Sequence, residues 1–171
     1  MMTRRIHGGW PGLGLLIGLA AAAPAAAQDV VRHPIPNSDF PIAAAVEVPA
    51  NATMVHLSGA VPPLVDRAAP PDTVAAYGGD MRRQTIGTLR SIEATLSRLG
   101  LGMGDVVRMQ AFLVGDPVHD GRMDFDGFMQ GYREFFGTPQ QPNLPVRSVV
   151  QVAGLVNPGW LVEIEVSAVR R

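Results

Sequence analysis

The chain has 171 residues with 14 arginines, no lysine, no cysteine and 15 acidic residues, giving a formal charge of −1. Without cysteine there is no disulfide framework, thiolate nucleophile or Cys-ligated zinc; without lysine there is no Schiff base and no phosphate-cradling lysine. The length suits one domain with its own core, and the near-neutral charge offers no electrostatic footprint for nucleic acid.

Residues 1–27 read as a secretory signal peptide. Arg4 and Arg5 form a basic n-region, residues 13–23 an apolar stretch, and Ala25-Ala26-Ala27 a small-residue cleavage site before Gln28. The stretch is mostly Ala and Gly and falls below the roughly 20 apolar residues that a membrane span needs. An exported, periplasmic or secreted protein is therefore expected, with no membrane attachment after leader removal. Thr3-Arg4-Arg5 hints at a twin-arginine route, although Ile6-His7-Gly8 follows where apolar residues belong. Removing 27 residues and two arginines leaves 144 residues at net −3. Absence of cysteine suits an oxidising compartment.

Residues 28–40, with Pro34, Pro36 and Asn37-Ser38, read as an extended arm preceding a domain over 41–171. Apolar runs at 43–48 and 54–58, separated by Pro49-Ala50-Asn51-Ala52, predict a hairpin. Residues 62–77 carry Pro62, Pro63, Pro70 and Pro71 and read as a surface loop. Asp80 can cap a helix whose apolar stripe is Ile86, Leu89, Ile92, Leu96 and Leu99, ended by Gly100 and Gly102. In the strand at 105–114, Val107, Met109, Ala111 and Leu113 share one face. A second helix over 123–136 turns Phe125, Phe128, Tyr132 and Phe135 or Phe136 inward. Strands at 146–153 and 160–169, joined through Asn157-Pro158-Gly159, close the chain. The order ββαβαββ predicts an α+β fold, one mixed sheet with two helices on one face.

In the strand at 146–153, Val146, Ser148, Val150 and Val152 are expected under the helices. Arg147, Val149, Gln151 and Ala153 then point the other way. That second face is also fairly apolar, which predicts burial against another subunit. An arginine in such a face needs an anionic partner. Glu163 and Glu165 alternate on the last strand, so two readings stand side by side: a structural ion pair, or a bidentate grip on a substrate carboxylate.

Other constellations are weaker. His119, Asp120, Asp124 and Asp126 suggest metal ligands, but an EF-hand would need oxygen donors where Phe128 and Phe135 stand; loop and helix-capping acids are the better reading. His56 and Ser58 share a strand face without a third acid nearby, so no hydrolase triad is supported. The glycines at 78–79 and 100–104 lack a phosphate-loop pattern.

Several segments together resemble the RidA/YjgF family, also called L-PSP endoribonucleases. They are Ser58-Gly59-Ala60-Val61-Pro62, Tyr132-Arg133-Glu134-Phe135-Phe136, Leu144-Pro145-Val146-Arg147-Ser148 and Val162-Glu163-Ile164-Glu165-Val166. The likeness runs from about Phe40 to the C-terminus, and Pro-x-Arg-Ser with Val-Glu-Ile-Glu is its most specific part. It implies a chorismate-mutase-like fold, a homotrimer with three inter-subunit clefts, and hydrolysis of enamines and imines such as 2-aminoacrylate to 2-keto acids and ammonia. It also implies that no metal or organic cofactor is needed. By position, Arg147 would grip the substrate carboxylate and Glu163 would orient or activate water, with Ser58 and Gly59 lining the same cleft. Ile42 stands where the family has a tyrosine, Ala60 where it has glutamine, Met129 where it has asparagine, and Val149 where it has cysteine. The cleft is thus greasier than in deaminating members, which also fits a non-catalytic module that binds small carboxylates or a protein partner on the same scaffold. Ribonuclease activity is disfavoured by the acidic mature charge.

Overall fold

The computed structural model describes residues 29–170; the expected leader lies outside them. Among the described residues no helix is long and apolar enough to cross a membrane. The elements, in order, are β1 (Val31–Pro34), β2 (Ala43–Glu47), β3 (Thr53–Ala60), α1 (Met81–Arg98), β4 (Val106–Val114), α2 (Phe125–Tyr132), β5 (Val146–Val152) and β6 (Val162–Arg170). Four strands form a mixed sheet in the order β3-β6-β4-β5, with β4 and β5 parallel and the other pairs antiparallel. This is the expected α+β class.

Strand β4 is central, and its alternation fits that position. Val107, Met109, Ala111 and Leu113 are buried, while the residues between them face the other side. Its buried face meets the helices, where Leu89, Ile92 and Leu96 of α1 join Phe128 and Tyr132 of α2 in one core with Val162, Ile164 and Val166 of β6. Asp80 caps α1 by accepting from the Arg83 amide at 2.8 Å, the role read from its place after two glycines.

Two expectations about local structure need correction. The buried face of α1 is rotated from the predicted stripe: Ile86 is only half-buried and Leu99 is 43% exposed, whereas Gln84, Thr85 and Thr88 are fully buried. The cause is close helix packing. A Cβ on Gly131 of α2 would come within 2.9 Å of Thr85, so the contact selects small residues over large apolar ones. Gln84 turns instead to the approach to β6, donating to the Gly159 carbonyl at 2.8 Å and accepting from the Leu161 amide at 2.7 Å. That buried amide therefore fixes the start of β6.

The second correction concerns β2. It does not form a hairpin with β3 but pairs antiparallel with β1, within the expected arm, as a separate two-stranded ribbon. Its first residue reaches β5 instead, the Ala43 amide donating to the Pro145 carbonyl at 3.0 Å. Arg32 fastens the ribbon from the other strand, donating to the carbonyls of Leu144, Gly104 and Val106 at 3.2, 2.9 and 3.2 Å. The ribbon consequently flanks the start of β5, next to Arg147.

Candidate functional site

Register decides where the candidate side chains point. Met109 of β4 lies beside Arg147 of β5, and Phe112 lies beside Glu163 of β6. Neighbours across a sheet share a face, so Arg147 sits on the helix side with Met109. Glu163 sits on the open side with Phe112. This reverses the expected orientation of β5: Val149 packs against the helical core, while Val150 is 41% exposed on the open face. Alternation alone establishes two faces; it does not say which one the helices cover.

Arg147 enters an aromatic box. Its guanidinium carbon lies 4.2 Å from the centroid of the Tyr132 ring, 5.3 Å from Phe128 and 5.5 Å from Phe40. Nη2 donates to Sδ of Met129 at 3.2 Å, whereas Nη1 is buried without a hydrogen-bond partner. No carboxylate pairs with Arg147 among the described residues, so the structural ion pair with Glu163 or Glu165 is not formed within this chain. Burial pulls the guanidinium pKa below its ordinary value, only partly opposed by Tyr132. Burial likewise pushes the Tyr132 hydroxyl well above the usual tyrosine range, against the favourable field of Arg147. A ring face attracts the cation without neutralising it, and the charge stays uncommitted.

A cavity of about 410 Å³ adjoins this box, lined by Ile35, Ile42 and Ala43 from the ribbon side and by Met109, Arg147 and Ser148 from the sheet, among others. Of the expected substrate-contacting residues, Ile42 and Met129 are thus gathered at Arg147, and Val149 follows two positions along the same face.

Gly59 and Glu163 form a second group, while Ser58 lines a cavity of about 400 Å³ with His56, Ile92 and Thr95 beside α1. The β3–β6 register breaks between Leu57 and Ala60, and at that irregularity the Glu163 side chain rests against Gly59, filling the space a Cβ would take. The Glu163 carboxylate has no hydrogen-bond or ion-pair partner among the described residues. His56, on the same strand, shares a hydrogen bond of 2.9 Å with Ser167. One chain therefore holds two half-sites on opposite faces of its sheet, an uncommitted cation and an uncommitted carboxylate.

The remaining candidates stay apart from both. His119 lies 3.6 Å from Asp124, and Asp124 caps α2 by accepting from the Gly127 amide at 2.8 Å. Among the described residues no three His, Asp or Glu side chains are grouped to hold a metal ion. A larger cavity of about 680 Å³ runs along the outer face of α1 beside Pro63, Val65, Arg82 and Arg90, and neither Arg147 nor Glu163 reaches it. Sequence reasoning missed the aromatic box. Phe128 and Tyr132 were readable as an inward stripe at helical spacing, but nothing in that spacing said that an arginine would lie on them.

A family model described as Endoribonuclease L-PSP matches residues 37–170. No curated protein matches the chain. Among solved structures, E. coli TdcF with bound serine is 29% identical, with a TM-score of 0.54, over 72% of this chain and 85% of that one. The E. coli YjgF gene product is 28% identical, with a TM-score of 0.54, over 78% and 91%. A Vibrio vulnificus structure is 30% identical, with a TM-score of 0.52, over 72% and 85%.

Proposed function

From the premise that the chain belongs to the endoribonuclease L-PSP family, the family of YjgF, we propose that it hydrolyses 2-imino acids and their enamine tautomers to 2-keto acids and ammonia. One observation carries this reading: the half-buried Arg147 guanidinium has a buried Nη1 with no hydrogen-bond partner and no carboxylate partner among the described residues. A cation held out of water in this way is completed by a bound carboxylate. The serine bound by the related TdcF structure carries an amino acid carboxylate, the kind of group such a site takes.

In the proposed reaction Arg147 fixes the carboxylate and so places C2 of the imine beside a water held by Glu163. The water oxygen adds to C2 while Glu163 takes a proton and passes it to nitrogen. Glu163 then carries the carbinolamine hydroxyl proton to nitrogen as the C–N bond breaks, releasing ammonia and leaving the ketone. Positioning and proton transfer supply the rate enhancement.

Because Arg147 and Glu163 face opposite sides of one sheet, the reaction needs Arg147 of one copy to meet Glu163 of another. The open sheet face, with Phe112 beside Glu163 and Val150 beside Phe112, supports association between copies, which we read as a homotrimer with clefts between its subunits. Export to the periplasm belongs to the same proposal, and N-terminal sequencing of the mature chain should begin at Gln28.

A specific observation favours a second reading, a binding module without turnover: Arg147 donates to the sulfur of Met129, and Ile42 brings no hydroxyl. One assay separates the two. Imino acids are generated in situ by an amino-acid oxidase and trapped chemically, and wild-type protein should suppress trapping while Arg147→Ala does not. No suppression with any side-chain type, together with keto acid binding that Arg147→Ala weakens, would establish the binding module instead.

A further inference from the structure

Tyr132 is fully buried in α2, its ring stacked on Phe136 at 4.8 Å between centroids, and the guanidinium carbon of Arg147 lies 4.2 Å from its centre. Its hydroxyl donates to the Pro41 carbonyl at 2.8 Å. Pro41 lies between Phe40, a second wall of the aromatic box, and Ile42, which lines the adjoining cavity. One side chain therefore touches both things that define the site: the cation, and the segment that closes around it.

We infer that Tyr132 is a positioning residue for carboxylate binding, holding the Arg147 guanidinium on its ring face while its hydroxyl tethers the segment carrying Phe40 and Ile42. The inference rests on the reading of Arg147 as the carboxylate grip. The choice of an aromatic support has a chemical reason. A carboxylate would hold the guanidinium as firmly, but it would neutralise it and occupy the in-plane N–H donors that a ligand carboxylate needs. A ring face leaves both available. Met129 restrains Nη2 through a weak sulfur acceptor, which a ligand oxygen can displace at little cost.

The test is calorimetric titration of the mature protein with 2-oxobutanoate, the probe standing for a 2-keto acid product. Tyr132→Leu removes the ring face and should weaken binding about tenfold. Tyr132→Phe keeps the face, loses the tether, and should stay within about threefold of wild type. In an Arg147→Ala background, Tyr132→Leu should add nothing, since a residue acting only through Arg147 has no further effect once it is gone. Unchanged affinity in Tyr132→Leu, or an equal further loss in the Arg147→Ala background, overturns the inference while leaving the carboxylate grip intact. If wild type and Arg147→Ala bind alike, or neither binds, both readings fall together. Should Tyr132→Leu not fold, wild-type NMR decides: cross-relaxation between Arg147 side-chain protons and the Tyr132 ring should persist in the 2-oxobutanoate complex, and its loss on binding overturns the inference.

Discussion

Glu163 rests its carboxylate against the Cα of Gly59, in space that any other residue at position 59 would fill with its own side chain. The glycine is there for close approach, since no left-handed backbone is recorded at this position. Gly59→Ala should therefore displace the carboxylate without removing it. We expect a fall in kcat of about tenfold or more, approaching the roughly hundredfold loss expected for Glu163→Gln as a missing proton carrier. KM should change little in both, because the carboxylate grip lies elsewhere. Steady-state imine trapping checks this, and an unaltered kcat in Gly59→Ala would remove Glu163 from the reaction.

Arg147 should cost the fold stability. Burial disfavours the charged guanidinium and lowers its pKa in the folded chain. The penalty is thus present wherever the group is protonated, across the whole neutral range, and is relieved only in strong alkali. Arg147→Met fills the same space without charge. It should melt about 2–4 °C higher, close to 1 kcal/mol, while losing ligand binding. Scanning calorimetry at neutral pH reads this, and a marked drop in melting temperature would make Arg147 a structural residue.

The open sheet face predicts assembly. Val150 is 41% exposed and lies beside Phe112, which lies beside Glu163. Sedimentation should return three copies of the chain for wild type and smaller species for Val150→Asp, with imine hydrolysis lost in parallel. A monomeric wild type would remove the inter-subunit cleft.

Gln84 offers a check on the scaffold alone. Gln84→Leu leaves the Gly159 carbonyl and the Leu161 amide without their buried partner. Urea unfolding should show a loss of about 2–4 kcal/mol, because the groups it serves cannot turn to water.

Much of this architecture was legible in the chain. Period-two burial in β4, the cap at Asp80 and the end of α1 near Gly100 follow from local rules, since each depends on residues a few positions apart. What escaped depends on pieces brought together from afar. The stripe on α1 is rotated because Gly131 of α2 lets the helices come close enough to prefer a small residue at Thr85. The partner of β2 is not legible because Val31–Pro34 carries a proline and little alternation, hiding a strand in the arm. At the site, the strand bearing Arg147 was readable as two-faced and fairly apolar. Which face met the helices depended on its neighbour β4, and the aromatic support on α2, neither of which spacing within β5 can report.

The staple at Arg32 carries a consequence for the order of assembly. It joins β1 to the carbonyl of Leu144 across 112 positions of chain, and β2 leans on Pro145 through Ala43. Arg32 can meet the Gly104 and Val106 carbonyls earlier, but the ribbon gains its hold on the start of β5 only once residues 144 and 145 have been made. Contacts that span so much chain form late in folding, after the local helices and the nearer strand pairs. The wall beside Arg147 therefore closes only after the segment at 144–145 has been made, later than the contacts within α1 and between β1 and β2.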